Sequence, residues 1–189
     1  MSELFSIQLQ NRQQQGRDGI WLDLPTTTEQ VQAALRQIGI SSDNPQGLFI
    51  SGYFAEEEKR FAIPYNMVLA SNVDELNFLA ARLETLSAGE RAELNAALQA
   101  PQSELSSIGK ITDFPENVEY YVYLPDVRGP AQLGDYYLNR SGMVNMPDEW
   151  KGGIDTAQFG RYVAQQEQGA FTQYGYLVKS GDEWQKVHE

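Results

Sequence analysis

The sequence has no cysteine and a single histidine, His188, one residue from its end. Without cysteine there is no disulfide, no thiolate nucleophile and no cysteine-built zinc site. A lone histidine at a frayed chain end also removes Ser-His-Asp and Cys-His catalysis and histidine-centred metal sites. Long apolar runs are missing too: none approaches the ~18 residues needed to cross a bilayer. Met1 to Ser6 carry neither a basic leader nor an apolar segment of the signal-peptide kind, so a cytoplasmic location is expected. The glycines form neither a phosphate-cradling loop nor a dinucleotide fingerprint. No loop of alternating acids with a placed glycine suits Ca²⁺ or Mg²⁺. No cofactor and no metal are therefore expected. Positive charge is also scarce, with 14 Lys+Arg against 26 Asp+Glu and a net charge of −12. That balance opposes direct binding to nucleic acid or anionic membranes and favours a basic partner or simple solubility.

What is present is enough apolar material for packed cores, 41% hydrophobic and 11% aromatic residues in a chain of 189. Leu4 to Gln10 alternates apolar and polar residues and predicts a strand, with Gly19 to Leu24 as its hairpin partner across a polar turn. Thr28 is expected to cap a helix carrying Val31, Ala34, Leu35 and Ile38, which Gly39 stops. Gly47 to Ala55 reads as a third strand. From Ser71 the period becomes helical, with Val73, Leu76, Leu79, Ala80, Leu83 and Leu86 on one face. Ser87-Ala88-Gly89-Glu90 has the form of a capping box for a helix running to Pro101. Ser103 to Ile108 predicts a further short helix. Glu119 to Leu124 predicts a strand, and Pro130 opens a helix through Tyr136 and Tyr137 to Gly142. A helix over Ile154 to Gln166, capped by Asp155, and a strand over Ala170 to Lys179 complete the pattern. The fold class is α+β: an N-terminal α+β domain over 1–68, a central helical domain over 69–110 and a C-terminal α+β domain over 111–189.

Carboxylates are the one abundant reactive group. Asp148, Glu149 and Asp155 offer an acid/base pair of the glycosidase type, but with 26 acids some pair meets that spacing by chance. Glu56-Glu57-Glu58, beside Lys59-Arg60, reads as a solvated turn. Arg161 after Gly160 suits a phosphate or, more commonly, a structural ion pair. Tyrosines crowd the C-terminal third, where acids outnumber bases, so core packing or a protein interface accounts for them better than base stacking. Residues 1–70 hold 8 acids and 5 bases, 71–109 hold 6 and 2, and 110–189 hold 12 and 7. The charge is therefore spread over the whole chain and not gathered in a tail.

Several stretches follow one another in the order of a known family. They are Gly19-Ile20-Trp21-Leu22-Asp23-Leu24-Pro25, Phe49 to Phe54, Asn72 to Asn77 and Leu86 to Leu94. A block follows with paired aromatics (Tyr136, Tyr137), Met146-Pro147-Asp148-Glu149-Trp150, Ile154-Asp155 and Phe159-Gly160-Arg161. The chain resembles the ArdA-type antirestriction proteins, although Tyr162 stands where that family commonly has an acid. The resemblance implies an elongated, non-enzymatic DNA mimic that occupies the DNA channel of type I restriction-modification enzymes. It implies a homodimer formed through the C-terminal part and carriage on a mobile element. Under it, Glu56, Glu57, Asp74, Glu75, Glu84, Glu90, Glu93, Asp148 and Glu149 stand in for phosphates. Met146, Pro147, Trp150, Ile154, Asp155, Phe159, Gly160 and Arg161 serve dimerisation and local fold. The alternatives are an acidic adaptor for another basic or nucleic-acid-handling protein, and a carboxylate hydrolase.

Overall fold

Strand β1 (Phe5–Asn11) buries Phe5, Ile7 and Leu9, as its period of two requires. The computed structural model describes residues 3–14, 18–41, 45–101 and 103–187. The chain forms two units, one from Met1–Ser87, Leu105–Pro115 and Lys186–Glu189, the other from Ala88–Glu104 and Glu116–Gln185. In the first, β2 (Ile20–Leu24) pairs antiparallel with β1, in the register Ser6↔Asp23 and Gln8↔Trp21. Helix α1 (Thr28–Gln37) follows. Its cap is Thr27, one residue before the expected Thr28, because Gln30 completes a capping box with Thr27 and no acid at the third position is needed. Gly39, at φ +71, then ends the helix in a conformation that favours glycine.

Strand β3 (Leu48–Phe54) pairs with the other side of β1, giving the order β2-β1-β3 with a bulge at Gln8/Leu9. A short helix α2 (Tyr65–Leu69) was not legible in the sequence, being little more than one turn after Pro64. Helix α3 (Val73–Glu84) is capped by Asn72, whose side chain accepts from the Glu75 N–H at 2.9 Å. It buries Val73, Leu76, Leu79, Ala80 and Leu83, each large aliphatic side chain contributing ~1.5–3 kcal/mol. Asn77 locks the start of α1 to α3: it accepts from Thr26 N–H at 2.7 Å and donates to Thr26 O at 2.9 Å.

Helix α4 (Ala88–Gln99) belongs to the second unit, after which the chain returns to the first for α5 (Ile108–Thr112). The short helix expected over Ser103–Ile108 thus begins only at Ile108, since Ser107 supplies the cap by accepting from Lys110 N–H.

In the second unit, β4 (Tyr121–Leu124) leads to α6 (Pro130–Asp135), which runs on into a π-turn over Tyr136–Arg140. Helices α7 (Asp148–Lys151) and α8 (Thr156–Glu167) come next, then β5 (Ala170–Thr172) and β6 (Gly175–Lys179). The single strand expected over Ala170–Lys179 is a hairpin. Thr172 Oγ1 accepts from the N–H groups of Tyr174 and Gly175 and donates to Gly175 O, and Gly175 turns the chain at φ +147. The sheet order is β4-β6-β5, all antiparallel. The core here gathers Val127, Leu133, Ala164 and Tyr176. Among the described residues no helix is long and apolar enough to cross a membrane.

Candidate acidic surface and the 146–161 block

The block from Met146 to Arg161 is built on one close helix crossing. A Cβ added at Gly160 would stand 1.8 Å from Pro130 O, and one at Gly134 would stand 1.9 Å from Thr156 O. The backbones of α6 and α8 therefore touch, and only glycine fits at either point. A glycine inside a helix costs ~1 kcal/mol relative to alanine, and here that cost is offset by the packing it allows. Gly134 and Gly160, each interior to a predicted helix, are the sequence signal of this close approach.

Asp155 caps α8, its side chain accepting from Gln158 N–H at 3.0 Å, in agreement with the sequence reading. Asp148 and Glu149 sit exposed in the first turn of α7, where the helix dipole favours anions, and Lys151 Nζ lies 2.9 Å from Asp148 Oδ1. Pro147 precedes that turn; Met146, Ile154 and Phe159 are half-buried. Arg161 is exposed and makes no ion pair with the described residues. The large apolar side chains of Met143, Trp150 and Tyr162 are 75%, 68% and 60% exposed.

Two glutamates in this unit contrast sharply. Glu167, at the end of α8, accepts from Tyr137 Oη at 2.8 Å and from Tyr176 Oη at 2.5 Å. Burial, and then the bond each gives Glu167, push both phenols above the ordinary tyrosine range. Glu93, on α4, has a buried Oε1 with no hydrogen-bond partner among the described residues. Burial, aided by the charge of Glu90, raises its carboxyl from 4.5 to about 7. Its position four residues before Ala97 puts it on the apolar face of α4.

The other carboxylates assigned as phosphate stand-ins are surface groups. Glu56, Glu57 and Asp74 are exposed; Glu75, Glu84 and Glu90 are half-exposed. Glu56 pairs with Lys59 at 3.1 Å, a surface contact worth ~0–1 kcal/mol. Asp74 and Glu75 occupy the first turn of α3. Of the acid/base trio considered above, Asp155 is occupied as a cap, and all three side chains lie open to solvent. Among the described residues no three His, Asp or Glu side chains converge on a possible metal position. His188 lies outside the described residues.

The family model for antirestriction protein (ArdA) matches residues 15–178. The chain belongs to the ArdA antirestriction family. The match takes in β2 through most of β6, and so the whole α6–α8 crossing. ArdA is a family of inhibitor proteins, not of enzymes, and an antirestriction function goes with membership. A search of the curated proteins finds no match.

Proposed function

We propose that this ArdA-family chain is a DNA mimic that inhibits type I restriction-modification enzymes by filling their DNA channel, acting in the cytoplasm without chemistry of its own. The observation that carries the reading is the spread of exposed carboxylates over folded surface in both units: Glu56, Glu57 and Asp74 in one, Asp148 and Glu149 in the other. Duplex DNA presents one negative charge per ~1.7 Å of axis, and a channel that holds it is lined with Lys and Arg. Spaced carboxylates replace phosphates there, release the counterions and exclude the duplex. Long-range attraction between the acidic protein and the basic channel speeds their encounter.

The protein acts as a homodimer joined through its C-terminal part, which doubles the charge of −12. Exposed Met143, Trp150 and Tyr162 support that joining surface, since apolar and aromatic side chains concentrate at the centre of interfaces. The three-part domain organisation belongs to the same reading.

The test is displacement of labelled duplex DNA from a purified type I enzyme across a salt series, with dimerisation followed by sedimentation. The expected result is displacement that weakens steeply as salt rises. A folded dimer that displaces nothing at any salt concentration would sink the proposal.

A further inference from the structure

The two faces of the first sheet differ. Phe5, Ile7, Leu22 and Leu24 fill the inner face and are buried. On the outer face the register sets Asp23, Ser6 and Phe54 in one row and Trp21, Gln8 and Gly52 in the next. Trp21 and Phe54 are 52% and 53% exposed there. A Cβ at Gly52 would stand 3.0 Å from Trp21 Cη2 and 3.1 Å from Gln8 Cβ, so the indole reaches across Gln8 towards β3. Beside it opens a cleft of about 510 Å³ lined by Glu3, Trp21, Asp23, Pro25, Thr27 and Gln30, among others.

Ser6 Oγ lies 3.3 Å from Glu3 Oε1 and 2.8 Å from Asp23 Oδ1. Its one proton serves one oxygen at a time, which leaves most of the acceptor capacity of two anions unused. Neither carboxylate forms an ion pair with a Lys or Arg among the described residues. An exposed aromatic surface beside two unpaired anions is complementary to a cation. Nucleic acid would be repelled here, and an apolar partner would strand both carboxylates.

We propose that this face docks an arginine-bearing segment of a protein partner, with the guanidinium laid against Trp21 and paired with Asp23 and Glu3. Arginine suits the site better than lysine because its planar fork stacks on an aromatic face and bonds carboxylates with two N–H groups. The inference deepens the DNA-mimic reading, on which it rests for the basic character of the partner. The three residues lie outside the carboxylate set assigned there.

The test titrates hexa-arginine into the ¹⁵N-labelled full chain. Shifts should centre on Glu3, Trp21, Asp23 and the Gly52–Phe54 stretch, with hexa-lysine binding ~3-fold more weakly. Trp21→Ala should weaken hexa-arginine ~5-fold and Trp21→Phe less, while Tyr65→Ala, which removes another exposed aromatic ring of the same unit, changes it by under ~2-fold. Binding untouched by Trp21→Ala, or shifts spread evenly over the acidic residues, would overturn the docking face. DNA competition on the type I enzyme separates the two ideas. A chain that fails to displace DNA while hexa-arginine still maps to Trp21 sinks the mimic reading alone. A chain that displaces DNA while hexa-arginine maps elsewhere sinks the docking face alone.

Discussion

The α6–α8 crossing and the acidic surface sit at opposite ends of a scale of sensitivity. At the crossing two backbones touch, and a single methyl group has nowhere to go. On the surface, charge is spread over many solvated carboxylates, and under the proposed mimicry each contributes a fraction. The difference teaches that a distinctive block of sequence and the chemistry a protein performs need not coincide. Gly160 and Asp155 are explained within their own chain, by packing and by capping.

Gly160→Ala should give the largest effect, a loss of ~3 kcal/mol or more in chemical denaturation, since overpacking against backbone cannot be relieved by a rotamer change. That loss should persist at protein concentrations too low for dimerisation; if it vanished on dilution, Gly160 would be acting at an interface between copies instead. Next comes Glu167→Ala, which strips the acceptor from the hydroxyls of Tyr137 and buried Tyr176 and should cost ~2 kcal/mol. Tyr176→Phe should cost about half that, because only one bond is lost.

Glu93 sharpens the comparison from the other side. Its folded carboxyl, near 7, lies above the ordinary value of 4.5, so the unfolded chain ionises first as pH rises. The stability it contributes is full below about 4.5 and is lost as pH rises through about 7. Glu93→Gln should therefore stabilise the protein above neutrality, by ~1–2 kcal/mol once solvent screening is discounted, and flatten that window in thermal unfolding followed against pH. A variant with the native pH profile would show that Glu93 is not the titrating group. The smallest effect is expected from Glu57→Gln, which should shift the midpoint of DNA competition by under ~2-fold. An abrupt loss from that one change would break the picture of shared charge.

The local grammar of the fold was legible wherever a single element decides it. Alternation marked β1, the 3.6-residue period marked α3, and Asp155 declared itself as a cap because its bond is made three residues away. Features that depend on a distant partner were not. The hairpin at Gly175 needed a threonine hydroxyl to close its turn, and the one-turn α2 was too short to show a period. The outer face of the first sheet could not be read from β2 alone, since Trp21 meets Gly52 only through the register of β3 with β1. The sign of each acid's charge was legible, but not whether its carboxylate is wet or dry. Glu93 was therefore indistinguishable from Glu90 until its surroundings were known.

The crossing has a further consequence for what lies between its helices. Pro130 and Gly134 on one side meet Gly160 and Thr156 on the other. Tyr136, Tyr137 and Leu138 still pack on the core, and the mostly exposed residues 139–155 form an excursion between the two helices that meet at this pinch point. Doubling the length of such a closed excursion costs only ~0.6 kcal/mol. Met143 and Trp150 thus ride on a tethered segment that can be shortened, lengthened or exchanged while its stem stays fixed, and under the proposed dimer the fit between copies can drift without refounding the architecture.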